Sequence, residues 1–256
     1  KIMKNIVITG ASEGIGFGIA KDLLANDYRV IILDKKIIKN KELEFKENLI
    51  FIKVDLRNIS NLKKLFLKLK KKYGEIYGLI NNVRGGEQLS FADETIKNWE
   101  LTLDINLKVA FFLSQYFINF KKTKKHYSKI INISSVADEF ITNQSPSYHC
   151  SKAALKILTK YLAINSSRKK VIVNSISPGF IIKERSKHYF ETSKISKKNQ
   201  SIVKAHPSNR VGCENDISKL VIFLLSKNSN FINGENIKVD GGITNRENIN
   251  LLKSFI

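Results

Sequence analysis

Short apolar runs alternate with amphipathic segments along the 256-residue chain. Near-continuous apolar, β-branched runs predict seven buried strands, at 4–9, 29–34, 49–55, 77–83, 129–135, 171–179 and 236–242. Apolar residues at helical spacing predict helices between them, from Ile15 onward and at 60–73, about 96–120, 148–166 and 215–226. Strands of this kind alternating with helices indicate a parallel sheet covered on both faces. We therefore predict one doubly wound, Rossmann-type α/β domain over 1–256 with a seven-stranded parallel sheet.

The segment 183–205 departs from this alternation, because it is polar, rich in Ser and Lys, and weakly patterned. It follows the sixth predicted strand, and loops at the carboxyl ends of such strands border the ligand crevice. We expect a mobile substrate lid there, with a pair of surface helices as the alternative.

The formal net charge of +21 raises the question of a nucleic-acid partner. The basic runs are scattered, however, at 63–73, 121–129 and 197–200. In the first run the apolar residues recur at helical spacing, so its lysines form the solvated face of an amphipathic helix. No groove-reading motif or aromatic-basic RNA motif is found. We expect no nucleic-acid partner and interpret the charge as mainly compositional.

The apolar runs and the two cysteines of the chain bear on its compartment and on metal binding. No apolar run reaches the roughly 18 residues of a membrane-spanning helix, and NIVITG at 5–10 shows no signal-peptide pattern. The cysteines Cys150 and Cys213 lack metal-ligand spacing. We expect a cytoplasmic protein with reduced thiols, no membrane partner and no metal.

A glycine-rich turn, TGASEGIG at 9–16, joins the first strand to the first helix. Glycines at Gly10, Gly14 and Gly16 allow a tight turn whose backbone can approach a pyrophosphate at the helix N-terminus. Asp34 ends the second strand, where a carboxylate accepts both adenosine-ribose hydroxyls and repels a 2′-phosphate. Glu13 offers that phosphate no cation, so we expect NAD rather than NADP, although Lys35 and Lys36 soften the preference.

Tyr148 and Lys152 are spaced i, i+4 at the start of a predicted helix, so they share a face. A nearby ammonium and a helix N-terminus both favour the phenolate, and we expect them to lower the pKa of Tyr148 toward working pH. Ser135 ends the preceding strand and reaches the same crevice. The three residues predict a general acid/base with a hydroxyl that holds the substrate oxygen.

With these motifs the chain resembles the short-chain dehydrogenase/reductase family over essentially its whole length. The resemblance rests on TGASEGIG, Asp34, Asp55, NNV at 81–83, Asn106, Ser135, YHCSK at 148–152, NSISPG at 174–179 and the stretch 210–242. It implies hydride transfer between a nicotinamide and a secondary alcohol or ketone.

The resemblance also assigns roles to residues. Tyr148 would be the acid/base, Lys152 would lower its pKa and bind the nicotinamide ribose, and Ser135 would orient the substrate oxygen. Asn106 would hold a water linking Lys152 to solvent, or would only satisfy backbone groups at a helix kink. The implied cofactor-binding residues are Gly10, Ser12, Glu13, Gly14, Ile15, Gly16, Asp34, Asp55, Leu56, Asn82, Tyr148, Lys152, Pro178, Gly179 and Ile181. For Asp55 an adenine contact and a helix N-cap both remain open.

Arg84 departs from the family, which usually has NNAG where this chain has NNVRGG. A guanidinium there is suited to clamp a carboxylate or phosphate on the substrate. The alternative is that Arg84 points outward and Gly85 takes over the turn. Together with the basic segment carrying Lys183 and Arg185, Arg84 favours an anionic or sugar-like substrate. Lys183 stands where the family often has a Thr that touches the cofactor amide.

Two other functions remain open. The chain also resembles NADPH-dependent 3-oxoacyl-carrier-protein reductases, whose acidic carrier would suit the +21 charge, but Asp34 counts against NADPH. A non-enzymatic nucleic-acid-binding or regulatory protein on the same fold is supported by charge alone. The resemblance further implies a homotetramer or dimer that pairs through the helices around 96–120 and 148–166.

Overall fold

A computed structural model describes residues 3–37, 47–121, 125–191 and 196–246. Seven parallel strands form its sheet: β1 (Asn5–Thr9), β2 (Arg29–Asp34), β3 (Leu49–Lys53), β4 (Ile76–Asn81), β5 (Ser128–Ile133), β6 (Val171–Pro178) and β7 (Asn236–Val239). Their spatial order is β3-β2-β1-β4-β5-β6-β7. The predicted doubly wound sheet is confirmed. The order reverses between β1 and β4, and ligands bind in the crevice above such a switch point.

Eight helices connect or flank these strands in the described residues: α1 (Gly14–Ala25), α2 (Ile59–Tyr73), α3 (Ile96–Leu103), α4 (Val109–Phe120), α5 (Pro146–Ser166), α6 (His188–Glu191), α7 (Lys197–Ala205) and α8 (Glu214–Leu225). Five of the seven predicted strands ran one to three residues too far at their carboxyl ends, as for 236–242 against Asn236–Val239. The extra residues at 54–55, 82–83, 134–135 and 179 line the crevice instead.

Two apolar layers cover the sheet because alternate strand residues face opposite sides. On β1, Ile6 and Ile8 belong to a core with α1 and α8, whereas Val7 belongs to a core with α2 and α4. All three side chains are fully buried. The uninterrupted apolar runs in the sequence follow directly from this burial on both faces.

The predicted helix at 96–120 is interrupted by one π-turn, Asp104–Lys108, between α3 and α4. A π-turn inserts an extra residue into the helix and disrupts its ladder of hydrogen bonds. Asn106 lies inside this turn. The apolar periodicity continues on both sides of the turn, so it did not reveal the break.

The segment 183–205 is helical where the structure describes it. A short 3-10 turn at Glu184–Ser186 precedes α6, and α7 ends at Ala205. This agrees with the alternative of a surface helix pair, while its movement as a lid stays a prediction. Residues 192–195 lie outside the described residues. No helix in the described ranges is both long enough and apolar enough to span a membrane.

Candidate active site

The glycine turn has the geometry of a backbone cradle. Gly10 and Gly14 adopt φ of +66° and +61°, in the left-handed region that favours glycine. A Cβ on Gly16 would lie 2.4 Å from Asn82 Nδ2, so α1 packs against the loop after β4 without room for a side chain. A Cβ on Gly14 would meet nothing within 4 Å. The turn is therefore closed toward the protein and open toward the crevice, as the approach of a pyrophosphate requires.

Asn82 holds the glycine turn from the loop after β4. Its Nδ2 donates to the carbonyls of Thr9 (3.0 Å) and Gly10 (2.6 Å). The hydroxyl of Thr9 in turn accepts from the backbone N–H groups of Asn82 and Val83. These bonds fasten β1 to β4 at the switch point and fix the shape of the turn.

Asp34 lies at the end of β2 and is 9% exposed. Its Oδ2 accepts from the Ser12 hydroxyl (2.5 Å) and the Ser12 N–H (3.1 Å), and its Oδ1 accepts from the Lys36 N–H (3.1 Å). These donors hold the carboxylate at the rim of the glycine turn, where sequence analysis placed the adenosine ribose.

Glu13 bridges two lysines at the mouth of the crevice. Its carboxylate pairs with Lys183 (3.1 Å) and Lys36 (3.2 Å), and these two contacts lower the pKa of Glu13. The pairing draws the ammonium groups of Lys36 and Lys183 toward Glu13. Lys183 therefore points across to the glycine turn.

Asp55 does not cap a helix. Its carboxylate pairs with Arg57, with Oδ2 2.5 Å from Nη2, and hydrogen bonds from Arg57 lower the pKa of Asp55 to about 2. Asn58 caps α2 instead, by accepting from the Asn61 N–H. The N-cap alternative for Asp55 is therefore wrong, and its carboxylate lines the crevice beside Leu56.

Ser135, Tyr148 and Lys152 meet at the other end of the crevice. Ser135 follows β5 and caps a 3-10 turn, Val136–Asp138, by accepting from the Ala137 N–H (3.2 Å). Tyr148 lies in the first turn of α5, and its hydroxyl is hydrogen-bonded to Ser135. Lys152 lies one turn further on, with Nζ 5.6 Å from the centre of the Tyr148 ring. The three predicted groups thus share one site.

The predicted lowering of the Tyr148 pKa is wrong for this structure. Tyr148 is 9% exposed, and burial raises the pKa of its phenol, while the Ser135 hydrogen bond and the Arg84 charge partly oppose the rise. Burial also lowers the pKa of Lys152 to about 7. Its Nζ donates to the Ile133 carbonyl (2.8 Å). Both groups are driven toward their neutral forms because water is excluded from them.

Asn106 is 2% exposed and lies behind the crevice, not on its wall. Its Oδ1 accepts from the Gly85 N–H (2.8 Å), and its Nδ2 donates to the Ser151 hydroxyl (3.0 Å). The side chain thereby joins the π-turn to the loop after β4 and to α5. Its contacts match the backbone-satisfying alternative, and they place Asn106 one layer behind Lys152.

Arg84 points into the crevice, so the outward alternative is wrong. Its guanidinium carbon lies 4.8 Å from the centre of the Tyr148 ring, and its Nη2 donates to Gln144 Oε1 (2.7 Å). The turn after it uses Gly86, whose φ is +86°, rather than Gly85. Arg84 is therefore the cation that stacks on the phenol.

A cleft of about 1310 Å³ connects the two ends of the site. Every predicted cofactor-binding residue lines it, as do Ser135, Tyr148, Lys152 and Arg84. Further residues that no sequence motif pointed to line the cleft as well: Leu101, Ile105, Phe140, Ile141, Asn143 and Gln144. The last four lie on the loop before α5, which carries no periodic pattern.

That loop is fastened to α5 by His149, the residue after Tyr148. The Thr142 N–H donates to His149 Nε2 (3.0 Å), so the proton lies on Nδ1, which donates to the Ser145 carbonyl (2.9 Å). Glu94 supports the same helix end by accepting from the Ser147 N–H and hydroxyl. Together these contacts set where Gln144 presents its side chain to Arg84.

These residues fit a nicotinamide dinucleotide. The glycine turn leaves open space beside Gly14, Asp34 lies at the ribose end, and the phenol, ammonium and serine hydroxyl lie at the far end. One continuous cleft joins them, with Pro178, Gly179 and Ile181 along its wall. This matches the crevice at which doubly wound sheets bind such cofactors.

Comparison with known proteins gives the same picture. A family model described as enoyl-(acyl carrier protein) reductase matches residues 10–244. A 3-oxoacyl-(acyl-carrier-protein) reductase of Buchnera aphidicola is 33% identical over 94% of this chain and 97% of its own length.

Two solved structures are similar over nearly the whole chain. One is a short-chain dehydrogenase from Leptospira borgpetersenii with bound NAD+, at 29% identity and a TM-score of 0.82, covering 94% of this chain and 93% of its own. The other is a gluconate 5-dehydrogenase from Burkholderia cenocepacia in complex with NADP and tartrate. It is 25% identical with a TM-score of 0.82, covering 95% of this chain and 96% of its own. The relatives thus include binders of either nucleotide.

Proposed function

Because the chain belongs to the short-chain dehydrogenase/reductase family, we propose that it is an NAD(H)-dependent oxidoreductase acting on a small anionic or sugar-like substrate. It interconverts a secondary alcohol and a ketone. The observation that carries this proposal is the meeting of Ser135, Tyr148 and Lys152 in the cleft that begins at the glycine turn.

The bound nicotinamide supplies or accepts the hydride, and the protein supplies position and a proton. Tyr148 exchanges the proton with the substrate oxygen. Because burial raises its pKa, the phenol is protonated at neutral pH in the cofactor-free protein, which is the form needed of a general acid. The Ser135 hydroxyl, already hydrogen-bonded to Tyr148, holds the same substrate oxygen.

Lys152 binds the nicotinamide ribose and, when protonated, favours the phenolate of Tyr148. Asn106 supports the route by which the ammonium regains its proton from solvent. Its side chain fixes the π-turn against α5 through Ser151, one residue before Lys152. A water held at this π-turn would complete the relay.

The preference for NAD rests on the charges around the adenosine end. The carboxylate of Asp34 lies there and accepts a hydrogen bond from Ser12. Glu13 forms ion pairs with the ammonium groups of Lys36 and Lys183. A 2′-phosphate would meet two carboxylates there, and like charges disfavour binding. The partly exposed lysines weaken this discrimination without reversing it.

An anionic or sugar-like substrate is supported by Arg84, which lies over Tyr148 with Gln144 beside it. The guanidinium fork matches a carboxylate, and the amide of Gln144 suits a hydroxyl. The similar structure that is described as a gluconate 5-dehydrogenase was solved with tartrate, a hydroxylated dicarboxylate. Hydroxy acids and sugar acids are therefore the first substrates to test.

The second candidate is an NADPH-dependent 3-oxoacyl-carrier-protein reductase. It is favoured by the apolar side chains of Leu101, Ile105 and Phe140 at the Tyr148 end of the cleft and by the Buchnera relative. An acyl chain would pack on these residues, and an acidic carrier would approach the basic surface.

One experiment separates these functions. Fluorescence titration with NADH and NADPH is followed by a turnover panel of hydroxy acids, sugar acids, keto acids and acyl thioesters. We expect tighter NADH binding and turnover of an acid. An NADPH preference with thioester reduction would establish the second candidate. Salt-dependent DNA binding without binding of either nucleotide would instead favour a non-enzymatic protein.

We also propose that the chain forms a homo-oligomer through α4 and α5. On α5, Ile157, Tyr161 and Ile164 are 64%, 60% and 76% exposed, and their spacing of four and three residues places them on one face. A second copy of the chain would cover this apolar stripe.

A further inference from the structure

A buried carboxylate, Asp138, lies in the layer behind the catalytic groups. It is 8% exposed and ends the 3-10 turn that Ser135 caps, with its N–H donating to the Ser135 carbonyl (3.0 Å). No motif in the sequence pointed to it. Charged side chains are rarely buried unless their charge is compensated, so its presence needs a physical reason.

The two oxygens of Asp138 have different surroundings. Oδ2 accepts from the Ser177 hydroxyl (2.6 Å), Asn236 Nδ2 (3.0 Å) and the Ser134 hydroxyl (3.2 Å). Oδ1 is buried and accepts no hydrogen bond from the described residues. Three donors on one oxygen stabilise a carboxylate, but half of its acceptor capacity is left for a charge or a donor nearby.

The network reaches the backbone of Lys152. The Ser134 hydroxyl lies within hydrogen-bond distance of both Asp138 Oδ2 and the Lys152 carbonyl (3.3 Å). Lys152 Nζ donates to the carbonyl of Ile133, the residue before Ser134. The carboxylate is therefore anchored on the same strand end that receives the lysine.

We propose that Asp138 is a positioning residue that serves as the buried counter-charge of Lys152 and keeps it an ammonium in a site without water. The inference rests on the proposed function, since Lys152 needs its charge there to bind the ribose and favour the phenolate. Asp138 itself touches neither substrate nor cofactor in this account, and it acts through Lys152 and through the turn that presents Ser135.

The charges around Lys152 agree with this role. Burial lowers the pKa of Lys152, the guanidinium of Arg84 lowers it further, and Asp138 raises it. Tyr148, on the same face of α5, is a neutral phenol at neutral pH. Glu139, the next residue, pairs with Lys156 and Lys238 and is exposed. Among these groups, Asp138 is the buried anion that supports the ammonium.

Asp138→Asn separates charge from shape. The amide oxygen of Asn can accept the three hydrogen bonds now made to Oδ2, and its NH₂ group would replace Oδ1, which accepts no bond. Asp138→Ser is a second neutral variant with room for water to serve the three donors. Glu139→Gln is the matched control, because it removes the same charge one residue away.

The test follows the titration of Lys152 in cofactor-free protein by NMR of 13Cε-labelled lysine, with the signal assigned from a Lys152→Met sample. We expect a midpoint near the value of about 7 in the unmodified protein. Both neutral variants at 138 should move it lower by about one pH unit, the lower end of the shift that a nearby opposite charge produces. Glu139→Gln should leave it in place.

An unchanged midpoint in a folded neutral variant would overturn the proposal, and so would a failure of both variants to fold, which would assign Asp138 to stability alone. NADH affinity measured above the midpoint tests the link to function separately. If the midpoint moves and NADH affinity does not, the counter-charge stands and the proposed role of Lys152 fails.

Discussion

At the scale of single residues, the acid/base chemistry depends on opposing charges placed around Tyr148 and Lys152. Arg84 lowers the pKa of both groups and Asp138 raises the pKa of both, while burial drives each toward its neutral form. Small changes in either charge therefore alter which proton is available. From the sequence we expected Lys152 to be the single cation beside the phenol of Tyr148. In the structure Arg84 is a second cation beside it.

Replacing Arg84 tests its double role. With Arg84→Ala we expect KM for the hydroxy acid or sugar acid found in the panel to rise by about 10- to 100-fold, since a charge-assisted pair to the substrate is lost. Arg84→Lys should restore only part of this, because an ammonium lacks the guanidinium fork. Steady-state kinetics at several pH values gives both KM and kcat.

Arg57→Ala is the matched control, because it removes an arginine from the same cleft at the Asp55 end. It should leave KM for the substrate unchanged. A KM that is also unchanged in Arg84→Ala would refute the clamp.

The sequence predicted well the site residues that lie close to one another along the chain. Tyr148 and Lys152 lie one helical turn apart, and the glycines lie within one turn, so local geometry brings them together. Asp138 and Gln144 were missed because their partners come from distant segments: Asn236 for the first and Arg84 for the second. Such contacts have no periodic signature along a chain. The lowered Tyr148 pKa was wrongly predicted because spacing does not report burial.

At the scale of elements, helix ends set where the functional groups lie. The first turn of α5 carries Tyr148, and Glu94 caps that turn from outside the helix through Ser147. The sequence predicted α5 and the helical stretch at 96–120. It did not predict the π-turn at Asp104–Lys108, because one inserted residue changes the apolar phase too little to be noticed.

A helix end away from the cleft offers a stability prediction with a pH signature. Asp216 in the first turn of α8 accepts from the Cys213 N–H (2.9 Å) and pairs with Arg210 (2.7 Å), which lowers its pKa to about 2. A carboxyl whose folded pKa lies below its unfolded value stabilises the protein above the unfolded pKa. That stability is lost as the pH falls toward about 2.

We therefore expect Asp216→Asn to reduce the free energy of unfolding by about 1 kcal/mol near neutral pH, from loss of the cap and the pair. The difference from the unmodified protein should shrink as the pH falls from about 4 to about 2. Urea unfolding followed by circular dichroism across this range measures it.

Glu214→Gln is the control for the same helix end. Burial raises the pKa of Glu214, so its charge disfavours the folded state and its removal should not destabilise the protein. A loss in Asp216→Asn that is equally large at both ends of the pH range would contradict the assignment to the carboxylate charge.

At the scale of the whole molecule, the order of the strands in the sheet determines where the cleft lies. The alternation of apolar strands and amphipathic helices along the chain accounts for the parallel sheet itself. β1 and β4 are neighbours at the switch point, so the glycine turn after β1 and the loop after β4 that carries Arg84 both line the cleft there. The lysines of α2 are exposed, as the apolar spacing predicted, except Lys70, which is half-buried and donates to the Phe120 carbonyl. What the alternation did not reveal is the shape of the substrate end, which the irregular loop before α5 forms.

The proposed oligomer gives a prediction at this scale. Ile157→Glu combined with Ile164→Glu should convert the oligomer to monomers. Burying a charge in an apolar interface destabilises the oligomer by more than the remaining apolar contact stabilises it. Size-exclusion chromatography with light scattering measures the mass. Phe91→Glu, at a side chain that is 90% exposed and lies outside α4 and α5 in the chain, should leave the mass unchanged. An unmodified chain that is already monomeric at assay concentration would contradict the interface.

The most direct test of the account is Tyr148→Phe, which removes one hydroxyl from the cleft and leaves the ring under Arg84. Turnover of the panel substrate and NADH binding are measured on the same sample. We expect turnover to fall by about 10²- to 10⁴-fold, the usual contribution of a general acid/base, while the NADH dissociation constant stays within about threefold. Turnover close to that of the unmodified enzyme would show that another group moves the proton, and the proposed mechanism would have to be abandoned.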